Sequence, residues 1–195
     1  LNRTRLSELT DVITALLGVS ERLQHAVPAD DARAADVDQL LRVATRGADL
    51  LRDLRDSGNE SPVKDARTPI ELDGAETILL VDDEPQVRGF VRRALEGYGY
   101  RVLEAGLVDE ALALGSSYPG QIHLLLTDVV LPGMSGPQLA ARLAPLRPEM
   151  RILYMTGYAD DAIVHRGVLS AGQSLLVKPF TSLGLAHEVK KVLRI

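Results

Sequence analysis

Cysteine and tryptophan are absent from the 195 residues, and phenylalanine occurs only twice. Without cysteine there is no disulfide and no thiolate metal site. With so few large aromatics, a base-stacking platform for single-stranded nucleic acid is not expected. Uninterrupted apolar runs stop at about four residues, far short of the ~20 needed to cross a bilayer as a helix. Arg3, Arg5 and Glu8 break up the first stretch, so no secretory leader is expected and a cytoplasmic location follows as the expectation. Net charge is −5, from 22 basic and 27 acidic residues, which argues against a dominant nucleic-acid surface. The chain begins at Leu1 rather than Met. One reading makes it the tail of a longer sensor whose upstream helix runs into Leu1–Leu9.

What is present divides into two textures. Hydrophobic residues make up 46% and charged residues 25%, ordinary for a globular chain of one or two domains. Residues 1–56 read as helical. Residues 57–75 read as a linker, because Ser57-Gly58-Asn59-Glu60-Ser61-Pro62 and Thr68-Pro69 break any continuous helix. Residues 76–195 read as a second domain.

In the first region Leu6, Leu9, Ile13, Leu16, Leu17 and Leu23 recur at helical spacing and predict one apolar face. Pro28 and Ala29-Asp30-Asp31 suit a turn and the N-cap of a second helix. There Val37, Leu40, Leu41, Ala44, Ala48, Leu51 and Leu54 form the stripe, and Arg42, Arg46, Arg52 and Arg55 lie on the opposite face. A lone helical hairpin leaves one side of its apolar seam uncovered. Pairing two hairpins into a four-helix bundle would cover it, so a homodimer through residues 1–56 is expected. The alternative is that the hairpin packs on its own second domain.

The second region alternates short apolar runs with amphipathic stretches. Strands are predicted at Thr77–Val81, Arg101–Ala105, Ile122–Leu126, Ile152–Met155 and Ser174–Val177. Helices are predicted at Pro85–Glu96, Val108–Leu114, Pro137–Leu143, Asp161–Leu169 and Ser182–Leu193. Five such repeats imply an α/β fold, a five-stranded parallel doubly wound sheet with helices on both faces. Sites in such folds lie at the carboxyl ends of the strands. Asp82 and Asp83 follow the first strand, Asp128 the third, Thr156 the fourth and Lys178 the fifth. Each alone has an ordinary explanation, such as a helix cap or a turn. Together they make an oxygen-rich cluster suited to a hard cation, Mg²⁺ above all, beside a lysine that can pair with a carboxylate or a phosphoryl group. The chemistry suggested is transfer of a phosphoryl group to Asp128.

The motifs that carry this pattern are Leu80-Val81-Asp82-Asp83-Glu84-Pro85, Leu126-Thr127-Asp128-Val129-Val130-Leu131-Pro132-Gly133-Met134-Ser135-Gly136, Tyr154-Met155-Thr156-Gly157-Tyr158 and Val177-Lys178-Pro179-Phe180. In order and spacing they resemble the receiver domain of two-component signalling. The resemblance implies that Asp128 is the phosphoacceptor. It implies that Asp82, Asp83, Asp128 and the backbone carbonyl of Val130 hold Mg²⁺, and that Thr156 and Lys178 bind the phosphoryl oxygens. The implied partner is a histidine kinase or phosphotransfer protein. The loop from Pro132 to Gly136 and the wording around Thr156 resemble receivers attached to hybrid histidine kinases. Two departures stand out. Leu175 occupies the place of a switch aromatic, and Val130 occupies a place where a polar side chain could orient an attacking water.

Asp11-Val12-Ile13-Thr14-Ala15-Leu16-Leu17-Gly18 resembles the first helix of the histidine-kinase dimerisation and phosphotransfer hairpin, and Val43–Leu51 resembles the second. Ser7 then stands where the phosphorylated histidine belongs and Glu8 where its acidic neighbour belongs. Serine cannot form the phosphoramidate that passes to an aspartate. His25 has no acidic residue following it, His123 reads as packed in a strand, and His165 and His187 read as surface residues. No Gly-rich phosphate loop of the P-loop type occurs, and neither an ATP-binding domain nor a DNA-binding domain is expected. The favoured reading is a non-enzymatic phosphorelay receiver that passes its signal to a dimeric hairpin. The alternatives are a pseudo-kinase-like module that docks on a true kinase or drains its phosphate, and a hydrolase of phosphorylated small molecules. The short loops, with no cap domain, argue against the hydrolase.

Overall fold

The computed structural model describes residues 3–28, 31, 33–56, 74–157 and 173–194. The elements in chain order are α1 (Arg3–Ala26), α2 (Ala34–Asp56), β1 (Thr77–Val81), α3 (Pro85–Gly97), β2 (Arg101–Ala105), α4 (Val108–Ser117), β3 (Leu124–Asp128), β4 (Val130–Leu131), β5 (Met134–Ser135), α5 (Gly136–Leu143), β6 (Arg151–Thr156), β7 (Ser174–Val177) and α6 (Ser182–Arg194). The helix expected at Asp161–Leu169, with His165, and the linker at 57–73 lie outside the described residues.

Five strands form one parallel sheet in the order β2-β1-β3-β6-β7. β1 is buried along its whole length, as a central strand covered on both faces must be. Its side chains alternate between two cores. Ile78 and Leu80 pack with Phe90, Leu95, Leu185 and Val189 beneath α3 and α6. Leu79 and Val81 pack with Leu125, Leu139, Leu143 and Tyr154 beneath α4 and α5. The order reverses on either side of β1 and β3, which opens a crevice at their carboxyl ends. Glu84 caps α3, its carboxylate accepting from the Gln86 N–H, and Pro85 begins the helix. Ser135 and Gln138 form a capping box at the start of α5.

Two differences from the sequence-based expectation follow from local bonding. The third strand runs Leu124–Asp128 rather than Ile122–Leu126. His123 precedes it, with its Nδ1 accepting from the Thr77 N–H at 2.9 Å. Beyond β3 the chain makes a small antiparallel pair, β4 with β5, that the β-then-α rhythm did not foretell. Gly133 closes its turn at φ +81°, a backbone conformation that side chains disfavour.

α1 and α2 pack antiparallel. Gln24 hydrogen-bonds Asp38 near the turn, and Ile13 lies against Gly47 further along. Leu17, Ala44 and Ala48 are buried between them. The face expected to be apolar is split. Leu9, Leu16 and Leu23 on α1 and Leu40 on α2 are exposed, whereas Thr10, Thr14 and Ser20 are buried. The hydroxyls tolerate burial because Thr14 donates to the Thr10 carbonyl and Ser20 to the Leu16 carbonyl within the helix. α1 also packs against α3. The hairpin therefore rests on its own second domain, the arrangement that stood as the alternative to dimer packing.

Candidate functional site

The carboxyl edge of the sheet gathers four of the predicted residues. Asp82 follows β1 and is fully buried. Asp128 ends β3 with its side chain 16% exposed. Thr156 ends β6 and is buried. Lys178 follows β7, and its backbone N–H donates to the Thr156 carbonyl at 2.7 Å, which fixes the two residues side by side. The Lys178 side chain, 1% exposed, reaches along the edge. Its Nζ lies 2.9 Å from Asp82 Oδ2 and 2.8 Å from Asp128 Oδ2.

The remaining carboxylate oxygens meet backbone donors. Asp82 Oδ1 accepts from the Glu84 N–H and Asp128 Oδ1 from the Val130 N–H, both at 2.9 Å. Arg88 on α3 donates to the Asp82 carbonyl at 2.7 Å and anchors the same loop from outside. Each acid is thus held by a side-chain cation on one oxygen and a loop amide on the other. Asp83 is exposed and is not drawn into the Lys178 cluster. Val130 is 66% exposed, so its side chain faces solvent beside Asp128.

A third carboxylate enters from outside the sheet. Asp11 on α1 places Oδ1 3.1 Å from Lys178 Nζ. No sequence signal pointed to it. The two residues are 167 positions apart, and the motif containing Asp11 reads as helix-pairing surface.

The electrostatics follow from burial. Desolvation pushes the Asp82 carboxyl up to about 6; the attraction of Lys178 opposes this and the repulsion of Asp128 adds to it. Burial alone would lower the Lys178 ammonium, but Asp128, Asp82 and Asp11 together hold it above its ordinary value. Burial also raises Asp11, against the pull of Lys178. Three carboxylates around one ammonium leave the edge short of positive charge. The donors are all oxygens, which suits a hard cation. Among the described residues, no three acidic or histidine side chains converge into a complete metal cage.

The usual aromatic position is filled by Leu175, half-buried on β7. Register sets it opposite Tyr154 on β6, which is buried in the core with Leu139 and Leu143. An aromatic thus lies beside that position on the neighbouring strand, which a strand-by-strand reading missed.

A parallel doubly wound sheet whose carboxyl edge carries two acids, a threonine and a buried lysine defines a receiver-type α/β domain. The family model of the response regulator receiver domain matches residues 78–190, and the chain belongs to that family. The receiver-domain part is 38% identical over 123 residues to the sensor kinase CckA of Brucella abortus, covering 63% of this chain but 13% of that protein. It is 34% identical to the response regulator receiver protein CpdR of the same organism, covering 60% of this chain and 95% of that protein. Among solved structures, the receiver domain of the hybrid histidine kinase CckA matches with a TM-score of 0.51 at 34% identity, over 60% of this chain and 98% of that one. A Burkholderia pseudomallei response regulator, described with a phosphorylated aspartic acid and a calcium ion, matches with a TM-score of 0.50 at 32% identity, over 60% of this chain and 71% of that one. The family model begins at residue 78, beyond α1 and α2. No helix among the described residues is long and apolar enough to cross a membrane.

Proposed function

We propose that this chain is a phosphorelay receiver in which Asp128 accepts a phosphoryl group from a histidine kinase or phosphotransfer protein. The observation that carries the reading is the buried Lys178 ammonium bonded to both Asp82 and Asp128 at the sheet's carboxyl edge. An Asp128 carboxylate oxygen forms the new bond to phosphorus as the bond from phosphorus to the donor imidazole nitrogen breaks. In this reading Lys178 neutralises the phosphoryl oxygens and Thr156 donates its hydroxyl to one of them. Asp82, Asp83, Asp128 and the Val130 carbonyl would hold Mg²⁺. When bound, that ion shields the negative charge that gathers on the phosphoryl oxygens. The chain's only chemistry in this reading is on itself. The test is incubation with acetyl phosphate followed by intact mass. A single phosphoryl adduct is expected in Mg²⁺ and none in excess EDTA; an adduct of equal yield in EDTA would contradict the metal assignment.

The exposed Val130 side chain carries no group that can orient water against the acyl phosphate. The phosphorylated chain is therefore expected to lose its phosphoryl group slowly. Val130→Asn is expected to shorten the lifetime several-fold, measured by loss of the adduct after donor removal. A longer lifetime in the variant would count against this role.

The hairpin of residues 1–56 is proposed as a dimerisation module derived from a kinase hairpin. Leu9, Val12, Leu16, Val19 and Leu23 are exposed at alternating spacings of three and four, the seam of a helix that pairs with another. Leu40, Val43 and Leu50 continue an exposed apolar strip on α2. Leu16→Glu is expected to convert a sedimenting dimer to a monomer with the receiver fold intact. A wild-type chain that sediments as a monomer at all concentrations would overturn the proposal. The rival reading, docking on a true kinase through Arg42 and Arg46, has less support. Both are exposed, as solvated helix residues ordinarily are, and the side chains of Arg52 and Arg55 lie outside the description.

A further inference from the structure

Three contacts fasten α1 to the receiver, and all lie on one side of the helix. Asp11 reaches Lys178 at 3.1 Å. Two turns on, Gly18 lies so close to Phe90 on α3 that an added Cβ would sit 2.1 Å from the ring. Glu21 accepts from the Ser182 hydroxyl at 2.6 Å, at the start of α6. A helix laid along α3 and α6 in this way brings its amino-terminal half over the carboxyl edge of the sheet. There Asp11 takes up a donor of the same lysine that serves Asp128.

We propose that α1 is a built-in cap on this edge, and that docking of Asp11 on Lys178 and phosphorylation of Asp128 oppose one another. The inference rests on Asp128 being the phosphoacceptor. Asp11 occupies an ammonium donor that the phosphoryl oxygens need. Phosphorylation replaces the single charge of the Asp128 carboxylate by about −2 on the acyl phosphate, beside the carboxylates of Asp82 and Asp11. Like charges around a single buried ammonium cannot all be compensated, and Asp11 is the member of the cluster that can leave, because it sits on a separate helix. Burial disfavours the charged form of its carboxyl, against the pull of Lys178. Phosphorylation therefore releases α1, and release of α1 eases phosphorylation, since the coupling is reciprocal.

Two variants weaken docking by different means. Asp11→Ala removes the carboxylate, and Gly18→Leu wedges the helix away from Phe90. With acetyl phosphate as donor, a bond forms from an Asp128 oxygen to phosphorus while the phosphorus–oxygen bond to acetate breaks and acetate leaves. Uptake scales with the population of the undocked form, the one with a donor of Lys178 released, so both variants are expected to take up the phosphoryl group roughly 10-fold faster than the wild type, as read by intact mass. Docking is read separately. The chain has no cysteine, so Arg22→Cys with Arg93→Cys supplies the only two thiols for a spin-label distance across α1 and α3. A single short distance is expected in the unphosphorylated chain, and a longer, broader one after phosphorylation and in the Gly18→Leu background. Uptake at the wild-type rate in both variants overturns the antagonism alone. A short distance with no adduct in any chain overturns the phosphoacceptor reading, and the antagonism with it.

Discussion

Replacing Asp82 by asparagine is expected to stabilise the metal-free protein by about 1–2 kcal/mol, the relief of a burial that lifts this carboxyl from 3.8 to about 6, less one lost hydrogen bond. A raised carboxyl pKa means that the folded chain holds its proton more tightly than the unfolded chain does. Between about pH 4 and pH 6 the folded state therefore binds more protons, and this group's contribution to stability falls as pH rises through that window. Above it the full penalty is present. Asparagine keeps the shape and carries no charge; its one oxygen can accept from the Glu84 N–H or from Lys178 but not both, and Lys178 keeps Asp128 and Asp11. Urea unfolding of the two proteins at pH 7.5 and pH 5 checks the sign: the variant's advantage should be largest at pH 7.5 and shrink towards pH 5. Millimolar Mg²⁺ should raise the wild-type melting temperature and leave the variant's almost unchanged, because the site is stabilised only where a ligand binds the native state. A variant less stable than the wild type at pH 7.5 without metal would show that the Lys178–Asp82 pair outweighs its own desolvation.

Gly136→Ala is expected to destabilise the chain by about 2–4 kcal/mol and to disturb the phosphoacceptor loop. A Cβ at Gly136 would sit 2.2 Å from the backbone oxygen of Asp128, an atom that cannot swing aside as a side chain can. The Gly136 N–H donates to the Val129 carbonyl at 2.9 Å, so the two ends of the β4–β5 excursion are tied at this point. Relief of the clash must move either the start of α5 or the end of β3, and the latter carries Asp128. Gly97→Ala makes the contrast. It lies at the end of α3 with open space around it, and alanine there should be neutral or gain up to about 1 kcal/mol. Chemical denaturation of both variants reads the difference directly. Equal stabilities would mean that the Asp128 loop is far more yielding than its packing implies.

The sequence was legible where chemistry and position coincide. An Asp or Lys directly after a short apolar run can belong to only one edge of a parallel sheet, so the edge gathering Asp82, Asp128, Thr156 and Lys178 could be drawn without coordinates. Strand phase was less legible, since a strand buried on both faces has no alternation. Nothing in the run from Ile122 to Asp128 shows where pairing begins, and the hydrogen bonds of His123 with Thr77 settle it only in three dimensions. The β4–β5 pair depends on a single left-handed glycine inside a loop. The hairpin was the hardest part to read. Its apolar spacing locates helices but does not say which neighbours they meet. The receiver-facing side of α1 includes Asp11, Gly18 and Glu21, none of which looks like a core residue in the linear pattern. What Asp11 meets is a further donor of the Lys178 ammonium, at a site formed 167 residues later in the chain.

The most direct test of the account is intact mass after acetyl phosphate and Mg²⁺, with wild type and Asp128→Asn measured side by side. One phosphoryl adduct in the wild type and none in a folded variant is the predicted result, since of the two strand-end acids that Lys178 binds Asp82 is buried and Asp128 is partly exposed. An adduct that persists in Asp128→Asn, or a folded wild type that takes up no phosphoryl group, would contradict the assignment of Asp128 as the acceptor.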